Sequence, residues 1–215
     1  GATSNFLGYH GFPAVTCVSI NDEVVHGIPG ERRIVAGDVV SIDCGAIVDG
    51  WHADSAITVI AGEPLSPRDV ELVDATQRSL WAGIAALAGA SRLDEVSAAI
   101  EDVADEAGLY PIEGYVGHGI GTAMHQEPDV MNYRTRGRHP KVQPGLCVAI
   151  EPMFVIGTDQ SRVLDDDWTV VSADGSRAAH WEHSIAVHNE GIWVLTAHDG
   201  GAEQLAEFGV TPVAP

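Results

Sequence analysis

The sequence predicts an α+β domain, and three observations carry the assignment. β-Branched runs dominate residues 14–61, two helical stripes fill residues 66–108, and strand patterns return until a hairpin ends near Ala197. Helices are therefore expected on one side of a curved antiparallel sheet.

The first strands are AVTCVSI, RIVAGDVVSID and SAITVIAG, separated by turn signals at HGIPG and VDGWH. A helix then opens at Ser66 with Pro67 at its first position, and Val73, Leu80, Ile84 and Leu87 recur on one face until Gly89. Ser91 is expected to cap a second helix striped by Leu93, Val96, Ile100, Val103 and Ala107, with Gly108 in the left-handed position that ends it. GYVGHGIG reads as a glycine-rich turn, followed by the strands LCVAIEPMFVI, WTVVS and HWEHSIAVH and a closing hairpin. Residues 1–197 are expected to form one domain, and residues 198–215, with weak periodicity, a loose and dispensable tail.

The chain has 215 residues, 45% of them hydrophobic, enough for a continuous core. Its 31 acidic against 11 basic residues give a net charge of −20, which disfavours attraction to nucleic acid or anionic lipid; an acidic face would draw in cations and peptide amino termini, although most of the excess reads as a solubilising surface. No run approaches the roughly 20 apolar residues of a membrane span, and no signal peptide is visible. Cys17, Cys44 and Cys147 form an odd set without a C-x-x-C pair, so neither a disulfide framework nor a thiolate zinc site is expected, and a reducing cytoplasm suits them. Cys44 and Cys147 read as small core residues, whereas Cys17 can line a pocket.

Four carboxylates carry the chemistry. Asp43 lies in VVSIDCGAIV, Asp54 in GWHADSAITV, Glu151 in LCVAIEPMFVI and Glu182 in AHWEHSIAV, and each frame reads as a strand with a charge set into it. Burying an ionised carboxylate costs several kcal/mol unless a counter-charge or hydrogen bonds offset it, and these frames hold no lysine or arginine. Two divalent cations would neutralise all four, with His118 in YVGHGIGTAMH as a nitrogen ligand.

The strings LGYHGFP, VVHGIP, SIDCGAIVDGWHADS, GHGIGTAMHQEP, AIEPM and HWEHS resemble, in order and spacing, those of the type I methionine aminopeptidases, from about Phe6 to Ala197. The resemblance implies the pita-bread fold, two pseudo-symmetric halves clamping a dinuclear metal centre. It also implies that Asp54 and Glu182 bridge both metals, that Asp43 ligates one, and that His118 and Glu151 complete the other. Paired metals would activate a hydroxide for amide hydrolysis, and the resemblance implies Glu151 as proton acceptor, with His125 orienting the scissile carbonyl and His26 contacting the amide nitrogen. The methionine pocket would map onto Tyr9, Phe12, Cys17, Met124 and Trp168.

The function implied is removal of initiator methionine from nascent chains with a small second residue, by a cytoplasmic, monomeric enzyme whose partners are peptide or nascent-chain N-termini, including ribosome-associated substrate. Oxygen and nitrogen ligands favour Mn, Fe or Co, with Zn able to occupy the site in vitro. Strand alternation sends His183 away from Glu182 into a supporting role.

Family members carry a helical segment ahead of the LGYHG string, which this sequence lacks, so part of the active-site cover is expected to be absent or supplied by another piece. Ala53, Met124 and Ser184 are smaller departures, and none removes a ligand. A proline-specific relative would carry an EPG-type motif and an arginine before the last acid, where this chain has Met153 and Trp181. A type II enzyme would carry an insertion between Glu151 and Glu182. A non-catalytic pita-bread module would have lost ligands, and all five are present.

Overall fold

The structure is a computed structural model that describes residues 1–215. Every strand pairing in it is antiparallel. The strands form one five-stranded sheet and four three-stranded sheets.

Helix α1 spans Pro67–Leu87, capped by the Ser66 hydroxyl, which accepts from the Arg68 N–H at 3.1 Å. Helix α2 spans Leu93–Ala107 and ends at Gly108 with φ +58°. The helices meet at Gly83, where an added Cβ would lie 2.9 Å from Ile100 Cγ1, so a larger residue there would force the Ile100 side chain to shift. Leu72, Leu80, Ile84, Val96 and Ile100 are fully enclosed between the helices and the five-stranded sheet, joined there by Val148, Ile150 and Ile185 in one core of 24 residues. No helix is long and apolar enough to cross a membrane.

The cap of α2 is Arg92, not Ser91 as expected; the Glu95 carboxylate turns back to accept from both backbone N–H groups, so Ser91 lies one residue outside the helix. The run RIVAGDVVSID is a strand only over Val39–Asp43. The Asp38 carboxylate accepts from the Val35 N–H and from the Asn21 amide, folding the preceding residues into a turn at Gly37 and leaving Ile34 and Val35 exposed. Cys44, expected in the core, is exposed just past the end of that strand.

GYVGHGIG contains a strand where a turn was expected. Gly117–Gly119 lies between Gln126–Val130 and Cys147–Ile150 in the five-stranded sheet. A Cβ at Gly117 would meet the Ala149 carbonyl at 2.4 Å and one at Gly119 the Glu127 carbonyl at 2.3 Å. These glycines serve close strand approach rather than turning.

The two glutamate strings are each divided at the acid. Cys147–Ile150 pairs with His183–His188, while Met153–Val155 pairs with Ala178–His180 in a different sheet. Both chains thus change sheets together, at Glu151-Pro152 and at Trp181-Glu182, and Asp43 likewise ends its strand. The charges sit at strand ends, where side chains project into the gap between sheets, rather than inside strands.

The segment 198–215, expected to be loose, is docked. Helix α3, Ala202–Ala206, inserts Leu205 fully into the main core. The Val213 N–H donates to the Ile192 carbonyl at 3.0 Å, and the Val213 carbonyl lies 2.7 Å from His188 Nε2. One anchoring leucine in a helix of one turn leaves no periodicity to read.

Candidate metal centre and cavity

The gap between the sheets is a cavity of about 260 Å³. Asp43 enters it from the end of Val39–Asp43, and Asp54 from just beyond the strand Trp51–Ala53. Ser184 Oγ accepts from the Asp54 N–H and donates to the Asp54 carbonyl, both at 2.9 Å. Ser55 Oγ donates to the Glu182 carbonyl at 3.0 Å, and Ala56 pairs with Glu182 across an isolated bridge. Asp54 and Glu182 are therefore fastened to one another through main chain. The backbone carbonyl of Glu151 accepts from Asn132 Nδ2 at 3.0 Å.

His118 Nδ1 lies 2.9 Å from the Gly119 carbonyl, to which it donates; its Nε2 then carries a lone pair, the arrangement of a metal-binding imidazole. That Nε2 stands 3.4 Å from Glu151 Oε1. Single ligand atoms of Asp54, His118 and Glu182 all lie within 4.8 Å of one another, and all three residues are buried.

No lysine or arginine lines the cavity. Burial, with neighbouring carboxylates adding to it, drives the Asp54 carboxyl up to about 7 and holds those of Asp43 and Glu182 well above the ordinary range. Burial likewise raises Glu151 to about 7 against the opposing pull of His118. Asp43 Oδ1 and Glu182 Oε1 are enclosed without a hydrogen-bond partner. Hard oxygen donors that are crowded, orphaned and lacking counter-charge fit divalent cations, which would satisfy those atoms and neutralise the repulsion together.

His26 and His125 face the same cavity. Burial lowers both imidazoles to about 4, aided by His180 near the first and by His118 near the second, so both are neutral at pH 7. His26 holds φ +60°, a left-handed backbone uncommon for a side-chain-bearing residue. His125 Nδ1 lies 2.8 Å from the Tyr9 hydroxyl, and its ring centroid 4.3 Å from that of His118.

At the other end Phe12 and Trp168 meet edge to face at 5.1 Å, with Cys17 and Met124 buried beside them. Burial, reinforced by Asp43, pushes the Cys17 thiol far up, so it stays protonated. All twelve residues singled out from the sequence line this one cavity.

Sequence reasoning missed three neighbours. Phe6 and His10 also line the cavity, and His10 packs against Tyr9. His180, at 2% exposure, places Nε2 3.5 Å from Glu151 Oε2. The alternation that turns His183 away from Glu182 also puts residue 180 on the side of 182, a usable signal. His183 instead bonds Thr196 Oγ1 at 2.7 Å and packs on Trp81. Of the departures noted in the sequence, Ser184 is the clip on Asp54, and the Ala53 carbonyl accepts from Asn5 Nδ2.

Residues 2–189 match the model of metallopeptidase family M24. Methionine aminopeptidase 1 of Mycobacterium tuberculosis is 53% identical over 203 residues, covering 91% of this chain and 76% of that protein. The crystal structure of a methionine aminopeptidase from Thermotoga maritima superposes with a TM-score of 0.88 at 40% identity, covering 92% of this chain and 79% of that one. A prolidase from Pyrococcus furiosus, with a TM-score of 0.67 at 20% identity over 85% of this chain and 48% of that one, shares the fold alone. The architecture is the pita-bread fold that the sequence implied.

Proposed function

Because the chain belongs to metallopeptidase family M24, we propose that it is a metal-dependent aminopeptidase that removes N-terminal methionine from peptides and nascent proteins when the second residue is small. The observation that carries this reading is one open-mouthed cavity with a ring of uncompensated carboxylates at one end and a small apolar, sulfur-lined slot at the other. An unbranched thioether suits that slot.

Asp54 and Glu182 would be shared by two divalent ions, Asp43 would help to hold one of them, and His118 with Glu151 would help to hold the other. When bound, the divalent ions lower the pKa of water and polarise the amide carbonyl. Glu151 accepts the proton released and passes it toward the departing amine. Tyr9 Oη lies 2.8 Å from His125 Nδ1; with Tyr9 as the donor, the imidazole proton sits on Nε2 for a hydrogen bond to the scissile carbonyl oxygen. His26, neutral through burial, contacts the amide nitrogen. Mn, Fe or Co suits these donors, and Zn can compete in vitro. The substrates are free or ribosome-associated N-termini, and the enzyme acts in the cytoplasm as a monomer.

The test is release of free methionine from Met-Ala-Ser by metal-stripped protein with Mn, Co, Fe or Zn restored, alongside an Xaa-Pro peptide. Metal-dependent release of methionine is expected. Cleavage confined to the Xaa-Pro peptide would move the chain to the proline-specific branch.

A further inference from the structure

Building on the assignment of Glu151 as ligand and proton acceptor, we infer that His180 is a positioning residue that fixes which oxygen of Glu151 faces the metals. The Glu151 carboxylate lies between two imidazoles, with Oε1 3.4 Å from His118 Nε2 and Oε2 3.5 Å from His180 Nε2. His118 is already engaged through Nδ1 with the Gly119 carbonyl, and its Nε2 is the nitrogen that would face a metal. With no lysine or arginine in the cavity, His180 is the group placed to donate to Glu151.

His180 Nε2 is enclosed and has no hydrogen-bond partner, a costly state for a buried polar nitrogen. Glu151 Oε2 lies 3.5 Å away, a separation that a small rotation of either side chain closes; such bonds commonly tighten when a site is loaded. The backbone leaves His180 little freedom to move elsewhere. Thr58 Oγ1 donates to the His180 carbonyl at 2.7 Å and accepts from its N–H at 2.9 Å, and a further hydrogen bond ties that hydroxyl to Ser41. His180 also stands opposite Met153, next to the break at which Glu151 leaves its strand. With its proton on Nε2, His180 would anchor Oε2 and leave Oε1, on the His118 side, for a metal.

The test titrates metal-stripped protein with Co²⁺ by calorimetry and measures kcat and KM on Met-Ala-Ser in parallel. His180→Leu keeps the packing and removes the donor; His180→Gln restores an N–H at similar reach. Expected for the leucine variant are an unchanged thermal midpoint without metal, undiminished Co²⁺ stoichiometry, affinity at one site weakened 10- to 100-fold, and a fall in kcat exceeding any change in KM. The glutamine variant should recover most of both losses. Wild-type affinity and kcat in the leucine variant would overturn the inference. Loss of a whole Co²⁺ equivalent would also overturn it, by making His180 a ligand, and so would equal losses in both variants. If His180→Leu does not fold, His180→Asn, whose amide is too short to reach Glu151, replaces it with the same expectations. The Co²⁺ titration reads His180 even if methionine is not the substrate, so the two readings fail separately.

Discussion

The two ends of the cavity are held by opposite means. At the acid end, Asp54 and Glu182 are stitched through Ser184 and Ser55 across strands from distant parts of the chain. Without cations that end is the least comfortable place in the molecule, because its carboxyls gain nothing from burial and repel one another. At the apolar end, Phe12, Cys17, Met124 and Trp168 are held by packing that is favourable by itself. One end is a positioned strain that needs a ligand, and the other is an ordinary small core with room left in it. Substitutions at the two ends should therefore fail in different ways.

The largest effect is expected at the bridging acids. Glu182→Gln or Asp54→Ala should lower kcat on the order of 10³-fold or more, beyond the 10- to 100-fold typical of a residue that only supports a ligand, and should reduce the metal content measured by mass spectrometry. Glu182→Gln should at the same time raise the thermal midpoint of metal-free protein above neutral pH, since it removes a buried charge; a lower midpoint would contradict the account of that end as strained. His125→Ala should lower kcat by about 10²–10³-fold, as for loss of one donor to a developing oxyanion, with metal content unchanged. Trp168→Ala should weaken preference for methionine over smaller first residues by about tenfold or more, read from kcat/KM on paired peptides, again at constant metal content.

The response to pH sharpens the same contrast. In metal-free protein Asp43, Asp54, Glu151 and Glu182 keep protons that the unfolded chain releases above about pH 4. The buried His26, His125, His180 and His183, lowered to between about 3 and 4, refuse protons that the unfolded chain takes up below about pH 6.5. These opposing terms offset each other between those limits. Above about pH 6.5 the carboxyls are unbalanced, joined at about pH 8.5 by the buried Cys17 thiol; the native state binds more protons than the unfolded one, and stability falls as pH rises through about 7. Thermal midpoints in chelator should therefore drop from pH 6.5 to 8.5, and saturating Mn²⁺ should abolish that drop. Smallest in its effect on turnover is Leu205→Ala in the docked tail, which should cost about 2–5 kcal/mol in denaturant unfolding while leaving kcat near that of the parent.

Much of the site was legible because charges without partners stand out against apolar frames. Asp43, Asp54, Glu151 and Glu182 announce a shared counter-charge wherever their strands end. The helices were legible too, since the stripes of α1 and α2 repeat for several turns. What escaped depends on partners that a linear pattern does not contain. Whether Gly117 and Gly119 turn the chain or admit a neighbouring strand is decided by the Ala149 and Glu127 carbonyls. The strands flanking Glu151 and Glu182 look continuous because both of their halves are apolar, although the halves belong to different sheets. Leu205 anchors the tail alone, and one residue makes no period. His180 was discoverable from alternation, but a histidine beside a stronger motif draws no notice until its nitrogen is found facing Glu151.

The reciprocal clip between Asp54 and Ser184 joins residues 130 positions apart. Closing a loop of that length is entropically costly, and contacts so remote in sequence place a fold among the slower ones to assemble. During its own synthesis the chain passes most of its length with Asp43 and Asp54 already made and their partners still to come. Until residue 184 arrives, Asp54 lacks the hydroxyl that clips its backbone, and until residue 182 arrives the ring of buried acids is one carboxylate short.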